Sequence, residues 1–292
     1  MYNETMYERG NAPSAIRELF AYGMERKAQI GEDKVFDFSI GNPSVPAPDS
    51  VAETIRELAD MAPAQLHAYS AAQGLESTRA AIAENLNKRF GTHYTADNLY
   101  LTMGAAACLS ACFTALIKPG DEIIVIAPYF PEYRIWIEFA GGVCVEVPAR
   151  EDNFQIDLDA LEQAITEKTK AVVINTPNNP VGTVYTRETL EGLADVLVQA
   201  EQRFGHDIYL ISDEPYRELT YGVEVPWVPA IYPNTLVCYS WSKSLSLPGD
   251  RIGYVLVPNE AHDSREVYLA VCGAGRSLGY ICAPVFFQRV IE

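Results

Sequence analysis

The chain has 292 residues, of which 48% are hydrophobic, enough for one large domain with a smaller part beside it. Its 39 acidic and 22 basic residues give a formal net charge of −17. A charge of this sign repels nucleic acid and anionic membrane surfaces, so we expect neither as a partner. Any anionic ligand should bind at a site that is locally cationic.

The sequence shows no run of the roughly 18 apolar residues that a membrane span needs, and its first residues, "MYNETMYERG", contain no apolar signal segment. These features predict a cytoplasmic protein. The six cysteines have no C-x-x-C spacing and the four histidines are isolated in sequence. We therefore expect free, mostly buried thiols and no metal site.

The first 95 or so residues contain two amphipathic helical patterns, at 12–28 and 75–90, with no strand pattern between them. From residue 98 onward, short apolar runs alternate with helical stretches. Seven runs are predicted strands: 98–104, 121–128, 141–149, 170–177, 207–214, 235–242 and 252–258. Most are nearly continuous in Val, Ile, Leu, Cys and Tyr, as expected for strands that are buried on both faces.

Helices are predicted between these strands, at 106–117, 131–139, 158–166 and 187–203. The last of them should begin with Thr186 as its N-cap and bury a stripe that includes Leu193 and Leu197. Alternation of this kind predicts a three-layer α/β/α fold around a mainly parallel seven-stranded sheet. The N-terminal helical part should belong to a small domain.

In such sheets, ligands bind at the carboxyl ends of the strands. Gly104, Ala105 and Ala106 join a strand to a helix, and small residues there leave backbone N–H groups open to a phosphate. A tight turn without a ligand is the alternative. Tyr129 and Phe130 follow the next strand, where an aromatic ring can stack on a planar ligand or simply pack into the core.

Three further strand ends carry polar residues. Asn179 lies in the Asn- and Pro-rich loop "NTPNNPVGTVY" and can point an amide into a site. Asp213 ends an apolar strand, three residues before Tyr216. A buried carboxylate needs a partner, for which a protonated ring nitrogen is one candidate and a helix N-terminus another.

The segment "SWSKSLSLPGDRIGY" contains Ser240, Lys243 and, eight residues after the lysine, Arg251. A lysine in a partly desolvated site has a lowered pKa, so its amine can attack a carbonyl and form a Schiff base. Taken in order, these five segments resemble the class I/II aminotransferases of fold type I, which depend on pyridoxal phosphate. The resemblance covers nearly the whole chain from about Asp37.

The resemblance implies the following roles. Lys243 would hold the cofactor as a Schiff base and carry a proton at the substrate Cα, while Asp213 would keep the pyridine nitrogen protonated. Asn179 and Tyr216 would hydrogen-bond the ring hydroxyl, and Phe130, rather than Tyr129, would stack on the ring. The phosphate would be held by four residues, namely Ala105, Ala106, Ser240 and Arg251, next to Gly104.

Substrate and partner contacts follow from the same resemblance. The backbone of Gly41 would approach the substrate carboxylate. Tyr69 resembles a tyrosine that reaches the cofactor phosphate of a neighbouring subunit, which implies a homodimer. Arg276, a lone cation in "GAGRSLGY", is either a solvated surface arginine or a partner for the side-chain carboxylate of a dicarboxylic substrate.

The chain departs from the family pattern at three places. Trp241 is bulkier than the usual residue between the serine and the lysine, and Thr78 replaces a common aliphatic residue. The family would continue beyond Glu292 for on the order of 100 residues. We therefore expect an N-terminal arm and part of the small domain at 1–45, the large cofactor-binding domain at 46–292, and the C-terminal small domain to be absent from this chain.

Several alternatives remain open at this point. Ser240 and Lys243 also fit the Ser-x-x-Lys motif of β-lactamases, but the accompanying Ser-Asp-Asn and Lys-Thr-Gly elements are missing. A non-catalytic binding module and an impaired fragment are two more. Within the family, amino-group transfer between an L-amino acid and a 2-oxo acid is the expected reaction, with carbon–sulfur β-elimination as the alternative.

Overall fold

The computed structural model describes residues 1–12 and 15–292, which divide into two compact units, Met1–Val45 and Pro46–Glu292. The first unit contains helices α1 (Glu4–Asn11) and α2 (Ala15–Ile30). The predicted helix at 12–28 corresponds to α2, and its residues 13 and 14 lie outside the described residues. The roles assigned above to the two parts of the chain stay predictions.

The second unit contains the remaining elements of the described residues. They are α3 (Asp49–Ala59), α4 (Pro63–Leu66), α5 (Glu76–Phe90), β1 (Leu99–Thr102), α6 (Ala105–Leu116), β2 (Glu122–Ala127), α7 (Glu132–Phe139), β3 (Val143–Pro148), α8 (Leu158–Ala164), β4 (Thr169–Asn175), α9 (Arg187–Phe204), β5 (Tyr209–Asp213), β6 (Thr235–Ser240), α10 (Trp241–Ser244), β7 (Gly253–Leu256), α11 (Ser264–Ser277) and α12 (Val285–Ile291).

The strands of the second unit form one seven-stranded sheet in the order β1-β7-β6-β5-β4-β2-β3. Strand β7 runs antiparallel to both its neighbours, and the other pairs are parallel. The predicted mainly parallel sheet is thus confirmed. The carboxyl ends of β1 to β6 lie at one edge of the sheet, together with the start of β7.

Both faces of this sheet are buried, as the continuous apolar runs predict. Ile123 and Val125 of β2 face a core formed with α6, α7 and α11. Ile124 and Ile126 of the same strand face a second core formed with α8 and α9. A third cluster packs β1, β6 and β7 against α5 on that second face. Helices therefore cover the sheet on both sides and leave its edges for loops.

Helix α9 begins and packs as its sequence predicts. The Thr186 side chain accepts a hydrogen bond of 3.1 Å from the Thr189 N–H, which satisfies one of the open donors at the helix N-terminus. Leu193 and Leu197 are fully buried. Helices α1, α3, α11 and α12 are findings of the structure that the sequence reasoning did not predict.

No helix in the described part of the chain is long and apolar enough to cross a membrane. All six cysteines are free, as predicted, and four of them are buried.

A buried ion pair organises the segment that follows β5. Glu214 is 1% exposed and Arg217 is 6% exposed, and the Arg217 Nε lies 2.5 Å from the Glu214 Oε2. Ser212 donates to the other oxygen of Glu214 at 2.7 Å. The Arg217 guanidinium also donates to the carbonyls of Val225 and Pro226, at 3.0 and 3.1 Å. Each charged group therefore has its partners inside the protein, which offsets the cost of removing it from water.

The same guanidinium lies beside a stacked pair of aromatic rings. It lies 5.4 Å from the ring centroid of Phe90 and 5.1 Å from that of Trp227, and these two rings stack on each other at 4.1 Å. Arg217 thereby connects the end of α5 to the segment after β5.

We expect Arg217→Met to lower the free energy of unfolding by about 3–5 kcal/mol, because the change leaves the Glu214 carboxylate buried without its cation. The double variant Glu214→Gln/Arg217→Met should lose less than the single variant, since it removes both charges. Urea unfolding followed by circular dichroism measures the difference.

Arg187→Met is the matched control, because Arg187 pairs with Glu191 at 3.7 Å with both side chains more than half exposed. That change should alter stability by less than about 0.5 kcal/mol. Equal stability of Arg217→Met and the wild-type protein would contradict the importance of the buried pair.

Candidate active site

The carboxyl edge of the sheet gathers most of the residues that the sequence singled out. Five chain segments meet there because β1, β2, β4, β5 and β6 all end at this edge, and β7 begins there. The residues that these segments carry are Gly104, Ala105, Ala106, Phe130, Asn179, Asp213, Tyr216, Ser240, Lys243 and Arg251. Their common edge is a consequence of parallel strand direction, as expected.

Asp213, the last residue of β5, is 5% exposed. Its Oδ2 accepts a hydrogen bond of 2.5 Å from the hydroxyl of Tyr133, whereas its Oδ1 is buried and has no hydrogen-bond partner among the described residues. An unpaired buried carboxylate oxygen is costly. This oxygen therefore marks a place where a ligand can supply a donor.

The pKa of Asp213 is raised to about 7, mainly by burial and to a smaller extent by the negative charge of neighbouring Glu214, while the hydrogen bond from Tyr133 opposes the shift. The partner tyrosine is affected in turn, since burial and the Asp213 charge hold the pKa of Tyr133 well above its usual range. A cationic donor beside Asp213 Oδ1 would restore the ionised carboxylate, because an opposite charge favours the charged form.

Asn175 connects the two loops that flank this carboxylate. Its side-chain N–H donates to the Asp213 carbonyl at 2.8 Å, and its Oδ1 accepts the Asn179 backbone N–H at 2.6 Å. The Asn179 side chain hydrogen-bonds Tyr216, which opposes the rise that burial and the Asp213 charge cause in the pKa of Tyr216. Asn179 and Tyr216 are thus positioned as a pair.

Lys243 lies in the short helix α10, directly after β6, and is half-buried. Its pKa is lowered, first by burial and then by the positive charge of Arg251. A lowered pKa leaves more of the amine unprotonated and nucleophilic. Ser240, at the end of β6, is buried, and its hydroxyl lies 3.2 Å from that of Ser242.

Gly104 and Arg251 form a cradle at the N-terminus of α6. Gly104 has a φ of 86°, and a Cβ added to it would lie 2.9 Å from the Arg251 Nη2. A Cβ on Gly253 would lie 2.4 Å from the Tyr239 carbonyl and 3.0 Å from the Gly104 Cα. Glycine is therefore required at both places, and the guanidinium lies beside the open N–H groups of α6. Open helix N–H groups and a guanidinium are the donors that bind phosphate.

Phe130 and Tyr129 have different surroundings at the end of β2. Phe130 is half-buried and makes edge-on ring contacts with Tyr133 and Trp136, at centroid distances of 5.9 and 6.0 Å. The Tyr129 hydroxyl instead donates to Glu146, a residue of β3. This contact directs the Tyr129 hydroxyl toward β3, while the Tyr129 ring stacks on Tyr133 at a centroid distance of 6.2 Å.

Three other predicted residues lie outside this group. Gly41 belongs to the first unit. Tyr69 is 89% exposed in the loop after α4. Arg276 is exposed in the last turn of α11.

Sequence reasoning missed Tyr133 and Asn175. Tyr133 follows Phe130 by three residues at the start of a helix, where an aromatic residue is normally interpreted as part of the hydrophobic core. Asn175 ends β4 two residues before a proline, and the many neighbouring asparagines concealed which of them is structural.

The bulky Trp241 packs edge-on against Tyr239 and Tyr254, at centroid distances of 5.3 and 5.5 Å.

The arrangement as a whole supplies four chemical elements at one edge. It has a phosphate cradle, an aromatic ring, a buried carboxylate with an open oxygen and an amine with a lowered pKa. Together these elements fit a planar, phosphorylated ligand that carries a basic ring nitrogen and an electrophilic carbon.

Comparison with known proteins points to the same chemistry. The family model for aminotransferase class I and II matches residues 33–278. The aspartate/prephenate aminotransferase of Thermus thermophilus is 36% identical over 250 residues, which cover 85% of this chain. The aligned part is 62% of that relative's length, so the chain spans about three fifths of the curated relatives it matches.

Two solved structures are similar to this chain. An amino transferase from Eubacterium rectale superposes with a TM-score of 0.97 and 58% identity, over 100% of this chain and 74% of that one. The aspartate aminotransferase from Thermus thermophilus with maleate has a TM-score of 0.83 and 30% identity, over 100% of this chain and 72% of that one.

The raised pKa of Asp213 predicts a dependence of stability on pH in the ligand-free protein. The folded state retains the Asp213 proton up to about pH 7, whereas the unfolded state releases it near 3.8. The stabilisation by protonated Asp213 is therefore fully present below about pH 3.8 and is lost as the pH rises from there through 7. The free energy of unfolding, compared with that of Asp213→Asn, should fall by about 2 kcal/mol between pH 5.5 and 8 and then level off.

Urea unfolding at each pH measures this difference. Tyr133→Phe removes the donor that opposes the shift, so its falling limb should extend to higher pH than in the wild-type protein. A constant difference between the wild-type protein and Asp213→Asn across this range would show that the Asp213 carboxyl is not the titrating group.

Proposed function

Because the chain belongs to the class I and II aminotransferase family, we propose that it binds pyridoxal phosphate and moves an amino group between an L-amino acid and a 2-oxo acid. Members of this family use that cofactor. The observation that carries the proposal is the buried Oδ1 of Asp213, which has no partner among the described residues, at the same sheet edge as Lys243.

The residues present fit the cofactor. Asp213 Oδ1 offers an acceptor for a protonated pyridine nitrogen, and the resulting charge pair would lower the raised pKa of the carboxyl. Gly104 lets the Arg251 guanidinium lie close to the N-terminus of α6, where both would donate to a phosphate. Ser240 supplies a hydroxyl at the same cradle. In a chain with a net charge of −17, such a local donor set is what allows an anion to bind.

Bound pyridoxal phosphate would supply an electron-accepting ring for the negative charge that develops at the substrate Cα. Asp213 would keep the ring nitrogen protonated. Lys243 would hold the cofactor through its amine and would carry the proton of the substrate Cα. Tyr216 and Asn179 would hold the ring hydroxyl, and Phe130 would cover one ring face. The lowered pKa of Lys243 leaves more of its amine unprotonated and able to accept a proton.

Substrate recognition is assigned to two further residues. The Gly41 backbone is proposed to approach the substrate's α-carboxylate. Arg276 is proposed to bind the side-chain carboxylate of aspartate or glutamate. Two of the similar proteins support a dicarboxylic substrate, namely the aspartate/prephenate aminotransferase and the aspartate aminotransferase with maleate, both of Thermus thermophilus.

A homodimer is part of this proposal. Tyr69 is 89% exposed, as expected for a residue whose hydroxyl reaches the cofactor phosphate of a second copy. Amino acids and 2-oxo acids are the proposed small-molecule partners. A cytoplasmic location stays a prediction.

Borohydride reduction of the cofactor-loaded protein should attach the cofactor covalently to the peptide that contains Lys243. In Lys243→Ala this adduct and the visible absorbance should both disappear, while the fold is retained. Mass spectrometry of the digested protein locates the adduct. Lys118→Ala, an exposed lysine outside the site, is the control and should give the wild-type adduct.

The reaction itself is tested on a panel of amino acids and 2-oxo acids. Formation of the new amino acid supports transfer, whereas release of ammonia and pyruvate from a β-substituted amino acid would favour the lyase. An adduct on a different lysine would overturn the assignment of Lys243.

Arg276→Ala should raise KM for aspartate and glutamate by about 10-fold or more, because a charge-assisted hydrogen bond contributes roughly 1.5–3 kcal/mol. The KM for neutral amino acids should stay unchanged. Steady-state kinetics with both substrate classes give the comparison. Arg265→Ala, an exposed arginine on the same helix, is the control. Equal effects on both substrate classes, or none, would leave Arg276 as a surface residue.

A further inference from the structure

The edge of the sheet opposite the proposed cofactor site holds three side chains with metal-ligating atoms. Glu201 lies in the last turn of α9, Asp207 just before β5, and His262 between β7 and α11. One ligand atom from each lies within 4.8 Å of the others. Because β7 runs antiparallel to its neighbours β1 and β6, its end lies at the same edge of the sheet as the start of β5, with β6 between them.

The spacing of two of these atoms matches a coordination sphere. The His262 Nε2 lies 3.5 Å from the Asp207 Oδ1. Ligands that surround Zn²⁺ tetrahedrally at about 2.0–2.1 Å are separated by roughly 3.3–3.4 Å. A simple ion pair also explains this one distance, but it does not explain why a second carboxylate is held next to the pair.

Glu201 is oriented by contacts of the kind that support metal ligands. Its Oε1 accepts from the Ile208 N–H at 2.9 Å and from the Tyr232 hydroxyl at 2.8 Å. Both donors go to one oxygen, so Oε2 is the oxygen available to an ion. Hydrogen bonds to ligating carboxylates are a regular feature of metal sites, because they fix the orientation of the ligand.

The backbone around His262 is held as well. The His262 N–H donates to the Asn234 Oδ1 at 3.2 Å, and the Tyr209 hydroxyl donates to the His262 carbonyl at 3.2 Å. The imidazole is exposed. An ion bound there would keep a position open to water, with three protein ligands and one solvent ligand.

We propose that Glu201, Asp207 and His262 form a binding site for a divalent transition ion of the zinc class. One imidazole nitrogen and two carboxylate oxygens suit Zn²⁺, Co²⁺ or Ni²⁺ better than Mg²⁺ or Ca²⁺, which take oxygen ligands. The ion would connect the end of α9, the start of β5 and the segment before α11. Since α11 packs against α6 in one core, the site would stabilise the layer whose other end holds the phosphate cradle.

The test uses tag-free, cofactor-loaded protein that has been treated with chelator and dialysed. Titration with ZnCl₂ in a calorimeter should show one ion per chain, and Co²⁺ should give a visible absorption band of low coordination number. At roughly 100-fold excess over Kd, Zn²⁺ should raise the melting temperature by a few degrees.

His262→Gln and Asp207→Asn should each weaken Zn²⁺ binding by about 10-fold or more. His93→Gln and Asp195→Asn change an exposed histidine and an exposed aspartate outside the cluster, and they should bind as the wild-type protein does. Melting temperatures without metal show whether each variant is folded. Equal binding by His262→Gln and the wild-type protein, or no binding to the wild-type protein, would leave only an ion pair and overturn the proposal.

Discussion

The second unit is arranged around one carboxylate that has been removed from water. Asp213 ends the strand in the middle of the sheet, where burial opposes its charge. The surrounding contacts satisfy it only in part. Tyr133 donates to one oxygen, and Asn175 holds the backbone in place from β4. The remaining oxygen has no partner among the described residues, which leaves a place where a ligand can supply a donor.

The neighbouring carboxylate, that of Glu214, shows that the missing hydrogen-bond partner is specific to Asp213. Glu214 is even less exposed than Asp213, yet it has a cation and a hydroxyl donor, and that cation lies beside two stacked aromatic rings. Two consecutive acidic residues at the end of one strand are thus treated in opposite ways. The protein supplies hydrogen-bond and charge partners for the Glu214 carboxylate but leaves one oxygen of Asp213 without any. This contrast favours a structural role for Glu214 and a binding role for Asp213.

Continuous apolar runs were enough to predict the seven strands, because strands buried on both faces differ clearly from helices in length and composition. The edge they share then follows from their direction, which is why Asp213 and Lys243 could be placed together. Helix α3 was missed although its apolar residues follow a clear helical period; Val51 is its only buried residue. His262 follows Asp207 by 55 residues and lies still further from Glu201, so no sequence spacing connects the three. Such contacts depend on which strands pair and in which register, and this pairing cannot be predicted from short stretches of sequence.

The phosphate cradle explains how so acidic a chain can accommodate an anion. Long-range repulsion from the net charge is screened beyond roughly 8–10 Å at physiological salt, so the donors at van der Waals range decide binding. The donors proposed to contact a phosphate there are the first N–H groups of α6, the Arg251 guanidinium and the hydroxyl of Ser240. The guanidinium can lie there only because residue 104 has no Cβ, and β7 can approach the turn only because residue 253 has none. Two glycines far apart in sequence therefore create one cationic concavity. Burial is the main cause of the lowered pKa of Lys243, and the charge of the same guanidinium lowers it further, so a phosphate held there would lie next to a charge that acts on the amine.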